Sequence, residues 1–438
     1  EFLITEAMAE DRSAKIPLDQ KYTYLSVLAK WMYDNKMSTM SESRHATFHD
    51  EYKEEYGVAV ESRQILSELS KAGILEWSTT GLRFKYKYIR FYFTGRYLAE
   101  NLDLEAIQIE VKYLAMRLFR EDASNIILFL CYLTKNRFVL DTILDCTRQL
   151  FAGVPPFSYD ADSNAFSELM KHTPQFVMEG TTTERRDKAR SIRDKTEVYE
   201  VGQARDAVEI HDDDDAENLS EVSDMAKINA TFKSMQILGQ IVRNAGGALK
   251  AERKEEVVRE CVALGLRVGA WYSGVIRRGG REFVEMLVEH FLRHDPNAQA
   301  AEIESEVKSF LFVCLERTLF VITKKISDAI GLQMLLPTIE RVLDVDNSSA
   351  DALIDLSVRL DYSEHLPFTE AVRLYQSAKK KKKNLLLETL VRHIVWQHLY
   401  LYPVSYQTKE RICDALRIKK GARLLKSQVK LQDRTEGR

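Results

Sequence analysis

From Lys21 to Lys36 the apolar positions Tyr22, Leu25, Leu28, Ala29 and Met32 recur every three or four residues, which predicts an amphipathic helix with one buried face. Ser41 or Ser43 signals a second start, and Phe48, Tyr52 and Tyr56 at i, i+4 and i+8 predict a short helix over His45–Tyr56. Ser62 opens a third, with Ile65, Leu66 and Leu69 on its apolar side and Gly73 placed to stop it. After Gly73 the period falls from 3.6 to 2. Ile74–Trp77, a Ser78–Gly81 turn, and Leu82, Phe84 and Tyr86 alternating with Arg83 and Lys85 predict a β-hairpin. Helices followed by such a hairpin are in the order of a winged helix. From Tyr88 to Leu102 the pattern is helical again.

Residues 103–180 predict two or three helices, including the apolar run Ile126–Leu133, and Pro155-Pro156 ends the run. Residues 181–224 are charge-dense and acidic, with Asp212–Asp215 consecutive, and predict a solvated linker. Further helices are predicted near 225–246, 251–273, 280–294, 300–330, 332–345, 349–360, 367–399 and 408–431. Gly265 and Gly269, four apart, predict a close helix–helix approach. The expected fold class is mainly α: a winged helix with one β-hairpin, followed by multi-helix domains as a bundle or an irregular α-array. The expected division is a winged-helix domain at 1–102, a helical segment at 103–180, an acidic linker at 181–224 and a C-terminal helical domain at 225–438.

The stretches Gly73–Trp77 and Phe84–Glu100 resemble the end of the winged helix in NACHT-like and related STAND-class P-loop NTPases. There a hairpin runs into an aromatic-rich helix of the form F-x-[HY]-x-x-[IF]-x-x-[YF]-[FL]-x-A-x-x-L-A. Phe84, Tyr86, Ile89, Tyr92, Phe93, Tyr97, Leu98 and Ala99 match it; Tyr86 stands where the family often has His, and Gly95 at its small position. A weaker likeness, Ile228–Asn244, looks like a helix that follows the winged helix in bacterial members. The resemblance implies the post-NTPase, regulatory half of a ligand-gated switch used in bacterial anti-phage defence and signalling. In that family the winged helix holds the nucleotide domain closed, while the helical C-terminus senses a phage or host trigger or contributes to self-association. Tyr86, Tyr88, Tyr92, Phe93 and Tyr97 are then structural aromatics.

No Gly-Lys dipeptide occurs in the chain, so the Gly-x4-Gly-Lys-[Ser/Thr] phosphate loop is lacking. The first residue is Glu1 rather than Met. Both fit a piece of a longer polypeptide whose NTPase domain lies N-terminal to it. ATP and Mg are expected only in that domain, and no catalytic, cofactor-binding or metal residue is assigned in this chain, which is not expected to be an enzyme.

Composition adds bounds. The 438 residues suggest two to four domains, and Pro (8) and Gly (18) are scarce, as in a largely helical protein. The longest apolar run, Ile126–Leu133, is too short to span a bilayer, so no membrane partner is expected. The five cysteines are widely spaced among apolar neighbours and read as buried reduced thiols of a cytoplasmic protein.

Net charge is −3, but residues 205–224 carry nine acids and one base, and residues 373–438 carry 17 Lys plus Arg and five acids. Lys379, Lys380, Lys381, Lys382, Lys383, Lys419, Lys420 and Arg423 are therefore candidate contacts to nucleic acid or an acidic partner. The alternative function is a nucleic-acid-binding regulator using the winged helix and this basic region. Against it, the third helix offers Glu61 and Glu68 beside Arg63 and Lys71, a balance that favours packing on a neighbouring domain over reading DNA. His45/His49 and His290/His294 have i, i+4 spacing but lack a His-Glu-x-x-His glutamate; exposed or capping histidines are expected. The Asp212–Asp215 run lacks the glycine and terminal glutamate of a calcium loop.

Overall fold

The computed structural model describes Met8, residues 16–161, Phe166, Val177–Met178 and residues 222–245, 247–294, 299–363, 365–380 and 384–420. These form two compact units, one drawn from residues 1–146 and 225–247, the other from 147–224 and 248–438. The fold is mainly helical, with an antiparallel β-hairpin in the first unit and a short parallel strand pair in the second.

The first unit opens with helices α1 (Leu18–Asp34), α2 (Glu42–Tyr56) and α3 (Ser62–Lys71), then strands β1 (Leu75–Ser78) and β2 (Gly81–Phe84), then α4 (Lys87–Glu100). The start of α2 is fixed by Ser41, whose hydroxyl accepts the Arg44 N–H. Gly73 follows α3 at φ +66°, the left-handed stop that glycine adopts without strain. The hairpin pairs Leu75 with Phe84 and Ser78 with Gly81. Backbone hydrogen bonds in both directions between Met40 and Leu82 add the segment before α2 to its edge. There Gly81 sits at φ +131°, and a Cβ on it would lie 2.4 Å from the Met40 carbonyl oxygen. Only glycine fits this turn.

Three helices follow: α5 (Glu105–Ala115), α6 (Glu121–Leu133) and α7 (Arg137–Gln149), with α8 (Asp224–Ala245) returning to the same unit. α4 packs closely on α6 because Gly95 has no side chain: a Cβ there would lie 3.0 Å from the Ile126 carbonyl oxygen and 3.1 Å from Phe129 Cβ. The small position of the aromatic-rich motif is thus a helix-crossing point.

In the second unit α9 (Ala251–His294) and α10 (Ala300–Ile330) run antiparallel, since Gly265 lies against Ile326, Gly269 against Leu319 and Gly280 against Leu311. The expected close approach at Gly265 and Gly269 is present. The expected break between 273 and 280 is not: α9 is one helix of 44 residues. Glycine costs only about 1 kcal/mol in a helix, and α9 continues through Gly280 with Leu311 of α10 beside it. A 3-10 turn at Gln333–Leu335 leads to α11 (Leu336–Val342), α12 (Ser349–Tyr362), α13 (Phe368–Lys380), α14 (Leu385–Leu401) and α15 (Tyr406–Leu416). The single helix expected over 367–399 is interrupted before Asn384, whose side chain accepts the Leu387 N–H and donates to the buried Tyr159 carbonyl at 2.6 Å. The helix expected at 408–431 stops at Leu416, because Arg417 turns left-handed (φ +54°) and Lys419–Lys420 (β4) pairs in parallel with Val177–Met178 (β3). The acidic run 212–215 lies outside the described residues.

Candidate interaction surface

Beneath the surface of the first unit, charge and polarity are consumed internally. Lys21 and Glu68 form an ion pair of 3.1 Å with both side chains under one-tenth exposed, and Lys21 also donates to the Met8 carbonyl. His45 and His49 are likewise buried, contrary to the expectation that they are exposed or capping. Tyr24 Oη lies 2.8 Å from His45 Nε2 and 3.4 Å from His49 Nδ1, and His49 Nε2 lies 2.9 Å from the Val60 carbonyl oxygen. A carbonyl only accepts, so His49 carries its proton on Nε2 and its Nδ1 accepts. Tyr24 then donates to His49, and His45 donates to Tyr24. Burial, with His49 adding to it, lowers the His45 pKa to about 4, so His45 is neutral at ordinary pH; burial pushes the Tyr24 hydroxyl up as well. The relay ties α1 to α2 and to the segment before α3.

The outer side of the module is different. Tyr92 and Phe93 are buried, as expected for structural aromatics, and Tyr97 lies below the Lys30 ammonium. Tyr86 and Tyr88 depart from that expectation. They are 48% and 53% exposed and stack on each other at 5.5 Å, with Lys85 above the Tyr86 ring. The alternation that places Leu82 and Phe84 inward ends at the strand end: the Lys85 N–H bonds to the Ile74 carbonyl, and Tyr86 is already the N-cap residue of α4. Trp77 at the end of β1 is also half exposed. Around these rings Arg83 pairs with Glu76 and Lys87 with Glu121. The Tyr86–Tyr88 stack is thus a half-exposed aromatic pair with charged side chains of both signs nearby.

The C-terminal basic residues are placed only in part. Lys379 and Lys380 end α13, with the Lys379 ammonium over the Tyr375 ring at 4.9 Å. Lys419 is exposed on β4 beside Lys420. Lys381, Lys382, Lys383 and Arg423 lie outside the described residues. No single surface uniting them is drawn by the described geometry. The five cysteines form no disulfide; Cys314 is half-buried and the others buried, and burial raises Cys131 to about 12 and Cys146 to about 11, which makes poor nucleophiles. Among the described residues no group of three His, Cys, Asp or Glu is placed to hold a metal ion, and no helix is long and apolar enough to cross a membrane.

No curated protein and no solved structure matches the chain. A family model described as Novel STAND NTPase 4 matches residues 38–94, which run from the segment before α2 through α3 and the hairpin into α4, and include Tyr86, Tyr88 and the His45–Tyr24–His49 relay's two histidines. The match covers a small part of the chain and coincides with the helix–hairpin–helix module. Over this module the chain is related to the STAND NTPases.

Proposed function

We propose that the chain is the regulatory or sensor half of a NACHT-like, STAND-type NTPase switch in bacterial defence or signalling. It acts by protein–protein contacts in the cytoplasm, without a nucleotide site or catalysis of its own. In this reading α1–α4 with the hairpin are the winged helix, ATP and Mg belong to an NTPase domain preceding Glu1, and the helical second unit meets the phage or host trigger. The observation that carries it is the half-exposed Tyr86–Tyr88 stack inside the family-matched segment. Two half-exposed aromatic rings at a helix start, stacked on each other, suit a docked neighbouring domain.

The test starts from the DNA upstream of the Glu1 codon, where an open frame encoding Gly-x4-Gly-Lys-[Ser/Thr] is expected. The two parts, expressed as separate polypeptides, should co-purify, and Tyr86→Ala with Tyr88→Ala should weaken that capture at least tenfold. A closed frame, or ATP binding by this chain alone, overturns the reading.

A second reading, nucleic-acid binding, is favoured by one observation. Glu68 is paired inward with Lys21, so the outer face of α3 is less acidic than its sequence, leaving Arg63 and Lys71 exposed with Glu61. DNA binding that weakens steeply with salt, and falls on Arg63→Glu with Lys71→Glu, would support it.

A further inference from the structure

Within the second unit, α9 and α10 line a cavity of about 770 Å³, a volume inside the roughly 300–1,000 Å³ range of small-molecule sites. Ile276, Val284, Val288 and Leu292 lie four or eight residues apart and so share one side of α9, while Leu311 of α10 and the buried Phe166 complete the apolar lining. From Ile276 to Leu292 the line is roughly 24 Å long at 1.5 Å per residue. Spread over that length, the volume has a mean cross-section of roughly 30 Å². A column of that section holds one hydrocarbon chain, whose neighbours stand roughly 3.5–4.0 Å from its carbons. It is too narrow for a partner helix, which is roughly 10–12 Å across.

The charged groups of the lining are sorted by position. Arg277 and Arg281 stand toward the Ile276 end, and Glu285 and Glu289 toward Leu292; on the antiparallel α10, Lys308 lies nearer the first end than Glu304 does. Arg281 pairs with Glu285 and Lys308 with Glu304. All four side chains are more than a third exposed, so these pairs hold weakly and their cations can turn to another anion. Arg277 has no ion pair among the described residues. Glu289 pairs with Arg293, which does not line the cavity. An anionic group is therefore attracted to the Ile276 end and repelled from the Leu292 end, and the apolar floor runs between the two.

We infer that this groove binds a long-chain carboxylic acid. Its carboxylate meets the Arg277 guanidinium, with Arg281 one turn further along α9, and its hydrocarbon chain runs over Val284 and Val288 toward Leu292. A guanidinium suits a carboxylate because two parallel N–H groups reach its two oxygens. A singly charged head matches the one unpaired cation of the lining, and the acidic far end fixes the direction in which the chain lies. The site is independent of the proposed NTPase switch and needs no nucleotide.

Titration calorimetry on the full chain tests it, with dodecanoate, octanoate and dodecyltrimethylammonium as probes, each below its micelle concentration. Dodecanoate should bind saturably at one site, with a dissociation constant on the order of 100 µM or tighter. Octanoate has four methylenes fewer and should bind at least tenfold more weakly; the cationic probe, with the same chain, should also lose at least tenfold. Arg277→Glu should weaken dodecanoate at least tenfold and strengthen the cationic probe. Val288→Glu should weaken both. Arg278→Glu, at an exposed neighbour that does not line the groove, should change neither, and circular dichroism checks that each variant keeps its helix content. No saturable binding of dodecanoate overturns the inference, as does equal binding of anion and cation. An equal loss in Arg278→Glu would reduce the effect to general surface charge and overturn it too. Binding to vesicles of anionic phospholipid without binding of free dodecanoate would make the surface a membrane contact and also refute the site.

Discussion

Acid should loosen the first unit through His45, and the size of the effect follows from its burial between Tyr24 and His49. With a folded pKa of about 4 against ~6.5 in an unfolded chain, the unfolded state takes up a proton first as pH falls. The stability contributed by a neutral His45 is therefore complete above pH ~6.5 and is lost as pH drops toward ~4. At pH 5 the loss is about 2 kcal/mol. Two measurements check this. The imidazole carbon-bound proton of His45, followed by NMR, should titrate near the lowered value. Urea unfolding at pH 7 and pH 5 should show acid destabilisation that shrinks by about 2 kcal/mol in His45→Gln, a variant that keeps a donor toward Tyr24 and cannot titrate. An imidazole titrating at ~6 or above, or an unchanged acid sensitivity in His45→Gln, refutes the buried-neutral assignment.

Three further perturbations probe the packing. Tyr24→Phe removes the donor to His49 Nδ1 and should cost about 1–3 kcal/mol in chemical denaturation; no loss would mean that the relay runs the other way or is solvated. Glu68→Gln leaves the Lys21 ammonium buried without its counter-ion and should cost about 3–5 kcal/mol, whereas Lys21→Met with Glu68→Leu should recover most of that loss. Equal losses in the single and double variants would show that the pair is not the cause. Gly265→Ala sets a Cβ 2.6 Å from the Ile326 side chain and should cost about 1–3 kcal/mol; in a background of Ile326→Ala the added cost should largely vanish, and simple additivity would refute the contact.

Much of the first unit was legible because its signals are local. Apolar spacing located α1, α2 and α3, and a capping serine and a glycine at φ +66° bounded two of them. The switch to period 2 located the hairpin, since alternate side chains must face one core. Where the signal is tertiary the reading failed. The glycines at 279 and 280 look like a break in any single helix, yet α9 continues through them alongside the facing helix. Asn384 reads as an ordinary polar residue inside a long helix until the Tyr159 carbonyl, far away in sequence, gives its amide a reason to cap. The groove beside Ile276 and Val284 had no sequence signal, because it is a space between two helices rather than a pattern on one.

Charge carries the same lesson further, because it bears on both candidate functions. Counted along the chain, α3 is balanced, with Glu61 and Glu68 against Arg63 and Lys71. Folding removes Glu68 from that account by pairing it with Lys21 below the surface, while Lys379, counted among the phosphate contacts, rests on the Tyr375 ring. One change makes the helix a better anion surface than the sequence implies, and the other makes the C-terminal lysines a poorer one. A nucleic-acid surface would thus draw on the module rather than the tail, and Arg63→Glu with Lys71→Glu should then weaken DNA binding more than substitution of Lys379 and Lys380. On the switch reading the two pairs of substitutions leave DNA retention equally absent, and it is Tyr86 and Tyr88 that matter. Measuring both responses on one set of variants separates a surface that reads phosphate from one that docks a protein.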